Sequence, residues 1–122
     1  MTAIGDVRIR VRDVISATAR ITGVPSAAFR TPYGRHVLYR QLAMALAVEL
    51  TAKPLTGIAV VFGCEHTTVM YAERQMRARL RGDRELAAIA DRIRVAAAVD
   101  AAVFVETMRR AALPQPNTGR SA

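Results

Sequence analysis

The sequence predicts a single all-α domain of about five helices, organised around a helix-turn-helix. Apolar residues recur at helical spacing along most of the chain, and alanine supplies much of the 52% apolar content. Glycine and proline separate the apolar stripes, which marks the ends of helices. A chain of 122 residues has room for one modest core. We therefore predict one domain over residues 1–113 and a disordered tail over residues 114–122.

The charge indicates a polyanionic partner. The formal net charge is +8 and the isoelectric point is near 11.2, carried mainly by arginine. Nucleic acid is the first candidate and an anionic membrane surface is the second, but no apolar run is long enough to span a membrane. A single cysteine excludes an internal disulfide framework, and no cluster of ligands predicts a metal or another cofactor. Without a signal-peptide pattern, we expect a cytoplasmic protein associated with the nucleoid.

The amino-terminal part predicts one helix and a basic loop. An apolar stripe predicts a first helix from Asp6 to Thr22, capped by Asp6 and ended by Gly23. A short helical turn at Ser26 to Phe29 and a proline-containing loop with Arg30 and Arg35 follow. Either arginine is a candidate for the minor groove of DNA, where the negative potential is enhanced; the alternative is that it only solvates the loop.

A second helix is predicted from Arg35 to Thr51. Its core stripe is formed by four residues: Leu42, Ala45, Leu46 and Leu50. Arg40 and Gln41 lie near its beginning and off that stripe. Lys53 precedes the amino end of the next helix, where contact with a phosphate is plausible.

Residues 55–80 predict two helices joined by a tight turn. The first helix has apolar residues at i, i+3, i+4 and i+7: Leu55, Ile58, Ala59 and Phe62. Gly63 follows, where a chain reversal needs a positive φ. The second helix, from His66 to Leu80, turns a further apolar stripe inward: Val69, Ala72, Met76 and Leu80.

The polar residues of this second helix suit a DNA-reading helix. Glu65 can accept a hydrogen bond from a cytosine amino group, and His66 and Thr67 can touch base edges or a thymine methyl group. Thr68 can hold a phosphate or cap the helix. The remaining candidates for DNA contact are longer side chains further along the helix: Tyr71, Arg74 and Arg77. The alternative interpretation is that the threonines only cap the helix and that this face is merely solvated.

Two motifs together resemble the carboxy-terminal DNA-binding domain of the bacterial replication initiator DnaA. The first is the run from Ile58 through Phe62 and Gly63 to His66, Thr67, Thr68, Val69 and Ala72; the second is Arg40 and Gln41 followed by an alanine- and leucine-rich helix. The resemblance covers about residues 14–94. It implies that Arg40 and Gln41 hold the phosphate backbone and that a loop arginine, Arg30 or Arg35, enters the minor groove. It also implies a preference for short asymmetric DNA boxes, bound one protein per box.

The chain departs from the family in the sequence of its turn and in lacking a nucleotide-binding motif. Cys64 stands where the family usually has an arginine, Glu65 replaces the usual aspartate, and the turn is one residue shorter. A cysteine cannot make a charge-assisted phosphate contact, so Cys64→Arg is predicted to tighten DNA binding unless the turn directs residue 64 away from DNA. No Gly-x-x-x-x-Gly-Lys stretch is present, which predicts a freestanding domain without nucleotide binding. Such a domain, bacterial or phage, is expected to regulate transcription or replication initiation.

The sequence pattern of the last helix predicts either a core element or a second binding surface. Gly82 ends the preceding helix and Asp83 starts this one, whose stripe is Leu86, Ile89, Ile93 and Ala96. The apolar run Val95 to Val105 exceeds the obvious need of a small domain. It either folds back along the first helix or exposes a patch for a second copy or another protein, extending to Met108 and formed by Val99, Val103, Phe104 and Met108.

Two further functions therefore remain open beside specific DNA binding: a protein-interaction adaptor of the replication or transcription machinery, and non-specific DNA binding. An enzyme is not predicted. Glu65 and His66 suggest acid-base chemistry only superficially, because adjacent helical residues point about 100° apart. No nucleophile or metal set accompanies them.

Overall fold

The computed structural model describes residues 7–31 and 34–114, and these form five α-helices and one 3-10 helix. The α-helices are α1 Val11–Thr22, α2 Val37–Leu50, α3 Leu55–Phe62, α4 His66–Gly82 and α5 Arg84–Ala112, and the 3-10 helix is Ser26–Arg30. The described ranges contain no β-strand, so the predicted all-α fold is confirmed. The division into residues 1–113 and 114–122 stays a prediction.

Helix α1 begins later than the sequence predicts. Residues 7–10 are not helical, and Asp6 lies outside the described residues. The start is set by Asp13, whose Oδ2 accepts a hydrogen bond from the Arg10 backbone N–H at 2.9 Å and a second from the Arg10 Nε at 3.0 Å. At the other end, Gly23 ends the helix as predicted, with a φ of 79° in the left-handed region.

Helix α2 is the central element and is buried on two stripes instead of one. Leu42 and Leu46 are buried as predicted, whereas Ala45 and Leu50 are half-buried. A second buried stripe runs at i, i+3, i+4 and i+7 through Arg40, Ala43, Met44 and Ala47. Arg40 is only 3% exposed, so it lies off the predicted stripe but inside the core.

Helices α4 and α5 are separated only by Asp83. Its Oδ1 accepts a hydrogen bond from the backbone N–H of Leu86 at 3.0 Å, so Asp83 caps α5 as predicted. Helix α5 is 29 residues long and runs antiparallel to α1. Two ion pairs fasten it to the rest of the fold: Arg94 Nε lies 2.8 Å from Glu49 Oε2 in α2, and Arg20 Nη1 in α1 lies 2.9 Å from Asp100 Oδ2.

The last helix folds back along α1 and also exposes an apolar stripe; a partner for that stripe stays a prediction. One face of α5 is buried through five residues: Leu86, Ala90, Ile93, Ala97 and Ala101. The opposite face exposes Val95, Val99 and Val103 at 66%, 54% and 58%. Phe104 lies 3.5 Å below the guanidinium carbon of Arg10, and Met108 is exposed beyond it. Small alanines therefore bring α5 close to α1 while its valines remain in solvent.

Two further findings concern the described residues alone. None of their helices combines the length and apolarity needed to cross a membrane. Nor do they bring together three or more histidine, cysteine, aspartate or glutamate side chains in a way that could hold a metal ion.

Candidate nucleic-acid interface

The turn between α3 and α4 is short and closed by backbone hydrogen bonds. Gly63 has a φ of 68°, as predicted, and its N–H donates to the Val60 carbonyl at 3.2 Å. The Cys64 N–H donates to the Ala59 carbonyl at 3.0 Å, which closes the left-handed end of α3. Buried Phe62 and Val69 lie on either side of the turn. The three residues 63–65 thus join two helices whose apolar faces meet in the core.

The first turn of α4 exposes polar side chains and backbone donors. Glu65, His66, Thr67 and Thr68 are all exposed, and their side chains form no hydrogen bond or ion pair within the described part of the chain. The Glu65 carbonyl accepts from the N–H of Thr68 at 3.0 Å. The backbone N–H groups of His66 and Thr67 precede that bond and have no partner within the helix. This end of α4 therefore offers donors and a positive dipole end to an anion.

Further along α4, one line of side chains faces away from the core. Thr67, Tyr71 and Arg74 are exposed and stand at i, i+4 and i+7, opposite the buried stripe of Val69, Ala72 and Met76. The Tyr71 hydroxyl accepts a hydrogen bond from Gln75 Nε2 at 2.9 Å. Arg74 forms no ion pair among the described residues, so its full charge is available to a phosphate.

Arg77 differs from Arg74 in position and in charge. It belongs to the flank of α4 that faces a groove shared with α2 and α5, and its guanidinium forms an ion pair with Glu73 one turn earlier. This pair is solvent-exposed on the Arg77 side and partly neutralises the cation. Arg77 is therefore a weaker candidate for a phosphate contact than the sequence predicts.

The other predicted contact residues surround the helix-turn-helix. Gln41 is half-buried in a shallow cleft beside Gln75 and Arg79 of α4. Lys53 is exposed and precedes α3, and Arg35 is exposed in the loop before α2, directly after Gly34 with its φ of 102°. Lys53 and Arg35 are therefore solvent-exposed cations on two separate segments of the chain.

Two predicted DNA-binding arginines instead contact backbone carbonyls. Arg30 is exposed, but its Nη1 donates to the Val61 carbonyl at 2.6 Å. Arg40 Nε donates to the Phe29 carbonyl at 2.8 Å, and its Nη2 donates to the Phe62 carbonyl at 3.3 Å. Because Arg40 is buried with its guanidinium held by protein oxygens, it is not presented to a phosphate in this structure.

The fold and this site have a counterpart among known proteins. The helix-turn-helix family of the bacterial DnaA protein matches residues 11–76, which is more than half of the chain. The chain belongs to this family. The chromosomal replication initiator protein DnaA of Mycobacteroides abscessus is 34% identical over 82 residues, which cover 66% of this chain and 17% of that protein. The chain therefore corresponds to only a small part of the initiator's length.

Membership in the DnaA helix-turn-helix family supports double-stranded DNA as the partner of this domain. It also accounts for the agreement between prediction and structure from α3 to α4, because the matched residues 11–76 include the whole of α3 and the first part of α4. The family is defined by a DNA-binding element and is not a catalytic one.

Cys64, the departure of this chain from the DnaA pattern, packs inward. It is half-buried against the apolar core. Burial raises the pKa of the Cys64 thiol, and the positive charge of Arg40 offsets this only in part. The effect of Cys64→Arg on DNA binding stays a prediction.

Sequence reasoning missed the structural role of Arg40. The residues at 40, 43, 44 and 47 share one helical face, and the last three are apolar in the sequence. That second stripe was the available signal, because it places position 40 on a buried side of α2. The two carbonyls that receive the guanidinium could not be read from the local pattern, since they lie 11 and 22 residues away along the chain.

Proposed function

We propose that this domain binds double-stranded DNA sequence-specifically by placing the first turn of α4 in the major groove. The observation that carries the proposal is the exposed polar turn of Glu65, His66 and Thr67, whose side chains have no partner within the described residues. Side chains of this size suit base edges: a carboxylate accepts from a cytosine amino group, and imidazole and hydroxyl groups donate or accept. The positive end of the α4 dipole reduces the repulsion between Glu65 and the phosphates.

Backbone contacts are proposed for the cations around this turn. Arg74 and Lys53 are exposed and unpaired within the described residues, so they are the first candidates for phosphates, and Thr68, Gln41 and Tyr71 supply neutral donors. Between the two loop arginines, Arg35 is better placed than Arg30 for the minor groove. Arg30 would have to release the Val61 carbonyl before it could enter DNA.

In the cell, such a domain would act at sites that resemble the boxes of the replication initiator. We propose that it regulates transcription or replication initiation there, or competes with the initiator for the same boxes, in the cytoplasm at the nucleoid. The similarity to the initiator of Mycobacteroides abscessus supports this role. Loss of the protein should then alter transcript levels or initiation frequency near occupied boxes, and unchanged levels at occupied boxes would contradict the regulatory role.

Selection of bound duplexes from a random DNA pool at near-physiological salt tests the specificity. Enrichment of one short motif, lost in the variant with His66→Ala and Thr67→Ala, would support a reader. Absence of enrichment, together with binding that vanishes as salt rises, would instead indicate non-specific binding, because that affinity comes from counterion release. Thr107→Ala, an exposed threonine on α5, is the matched control and should leave the selected motif unchanged.

A second binding mode is favoured by the exposed valines of α5. Val95, Val99 and Val103 form a stripe opposite the buried face, and we propose that a second copy of the chain covers this stripe. In an antiparallel pair with its twofold axis at Val99, Val95 lies beside Val103 of the other copy. Arg92 and Glu106 lie seven residues before and after Val99, on the same face because seven residues make about two turns.

The same twofold axis therefore places Arg92 of each copy opposite Glu106 of the other copy. Arg92 forms no ion pair among the described residues, while Glu106 pairs with Arg109 and Arg110 of its own helix. The stripe is small, so the pair should form near the low end of interface sizes, about 1,200 Å² in total, and depend on concentration. A palindromic selected motif would support the pair, and an asymmetric motif would indicate one protein per box.

A further inference from the structure

The carboxyl end of α3 is held by two arginines from the preceding part of the chain. The last carbonyls of a helix have no intrahelical partner and carry the negative end of its dipole. Here the Val61 carbonyl accepts from Arg30 at 2.6 Å and the Phe62 carbonyl accepts from Arg40 at 3.3 Å. A Cβ at Gly63 would lie 3.2 Å from Arg30 Nη2, so that guanidinium lies directly against the turn.

Arg40 connects three elements at once. It stands in the first turn of α2, its Nε reaches the Phe29 carbonyl in the 3-10 helix, and its Nη2 reaches the end of α3. The side chain is buried, and withdrawing its charge toward a phosphate would leave two carbonyls without a donor. No buried side-chain nitrogen or oxygen in the described ranges lacks a hydrogen bond, which includes those of Arg40.

The turn itself is the part of the helix-turn-helix that departs from the DnaA pattern. With only residues 63–65 between α3 and α4, the direction of α4 depends directly on how α3 ends. Cys64 packs against the core within this turn, and its N–H closes the end of α3 whose Phe62 carbonyl accepts from Arg40.

We propose that Arg40 is a positioning residue that fixes the orientation of α4 from inside the protein, with Arg30 as an exposed second clamp on the same helix end. It does this in place of the phosphate contact that the arginine-glutamine motif implies. The inference rests on the proposed function only where it concerns DNA; the clamp is a property of the free protein and is tested there first.

Arg40→Lys distinguishes a residue that positions α4 from one that contacts a DNA phosphate. A lysine keeps the charge that a phosphate contact needs, but its single ammonium group cannot reproduce the planar set of donors that spans Phe29 and Phe62. We expect Arg40→Lys to lower the thermal unfolding midpoint and to accelerate amide hydrogen exchange at Gly63 and Cys64, whose N–H groups close the turn. Arg74→Lys, at an exposed arginine of α4, is the control and should change neither quantity.

On DNA, the two roles differ in salt dependence. The clamp predicts that Arg40→Lys weakens specific binding about tenfold or more, and that the neutral variant Arg40→Gln leaves the slope of log affinity against log salt unchanged, since no phosphate contact is lost. A native midpoint and native exchange in Arg40→Lys, with a slope that falls by about one in Arg40→Gln, would overturn the clamp in favour of a phosphate contact.

If the Arg40 variants do not fold, Arg30→Gln decides the question. It removes only the surface bond to the Val61 carbonyl, so the fold should persist while exchange at Gly63 and Cys64 accelerates. Unchanged exchange at both amides would overturn the clamp. Because exchange is measured without DNA, failure of the wild-type protein to bind any duplex would contradict the proposed function and leave the clamp standing.

Discussion

Helices α4 and α5 bury similar apolar faces, but the chemistry of their exposed faces differs. Each packs an apolar stripe into the core, through Val69 and Met76 in α4 and through Ile93 and Ala97 in α5. The outward side of α4 carries hydrogen-bonding and cationic groups, whereas the outward side of α5 carries three valines. The buried stripes hold the fold together, and we propose that the exposed stripes select the partner. A polar partner suits α4, and an apolar partner suits α5.

The largest effect is expected where α4 meets bases. His66→Ala together with Thr67→Ala should reduce specific binding by about 1 to 3 kcal/mol for each good base contact and leave non-specific binding nearly unchanged. Both side chains are exposed, so the unfolding midpoint should stay at its wild-type value. Fluorescence anisotropy on the selected duplex and on a scrambled duplex measures the difference. Equal losses on both duplexes would contradict base reading by this turn.

The second effect tests α5 alone. Val99→Glu should raise the dissociation constant of the antiparallel pair at least tenfold, about 1.4 kcal/mol, because the twofold axis brings the two introduced carboxylates together. Sedimentation equilibrium measures it, and binding of one protein to one box should not change. Val60→Glu is the matched control, since Val60 is an exposed valine on α3, away from the stripe. A wild-type protein that stays monomeric at high concentration would refute the pairing.

The sequence predicts a region well when the interactions that form it are between residues close together in the chain. The helix-turn-helix was predictable because its signals are local: Gly63 at the reversal and apolar residues at helical spacing on both sides. The start of α1 was not, because Arg10 is an unusual cap and depends on the carboxylate of Asp13. Arg40 was misplaced because its partners are distant in sequence. The exposed valines were named correctly, but exposure alone does not identify their partner.

A third, smaller effect distinguishes two arginines within α4. Arg74→Gln should reduce the salt slope of DNA binding by about one, with a loss near 1 kcal/mol at low salt. Arg77→Gln should change the slope less, because Glu73 already pairs with Arg77 and that carboxylate would then be left beside the DNA. Affinity titrations at several salt concentrations give both slopes. Equal slope changes in the two variants would mean that Arg77 leaves Glu73 when DNA binds.

The smallest effect concerns the contact between α1 and the end of α5. Burial raises the pKa of Asp13, but the hydrogen bonds and charge of Arg10 lower it by more, so its folded pKa is below its ordinary value. Such a carboxyl stabilises the fold above its unfolded pKa of about 3.9, and the contribution is lost as the pH falls through the folded pKa. The same pair holds Arg10 over the ring of Phe104.

Asp13→Asn should therefore lower the free energy of unfolding by about 0.5 to 1 kcal/mol at pH 7, because a neutral amide accepts the Arg10 hydrogen bonds more weakly than a carboxylate does. The gap from wild type should begin to close below about pH 4, the pKa of Asp13 in the unfolded chain, and should close fully as the pH falls through its lower folded pKa. Thermal unfolding at a series of pH values measures this gap. Glu106→Gln, on the exposed end of α5, is the control and should leave the unfolding midpoint at neutral pH unchanged, because its arginine partners are in solvent. A difference between wild type and Asp13→Asn that persists at low pH would mean that Asp13 stabilises the fold by packing. The charge of Asp13 would then not hold Arg10 against α5.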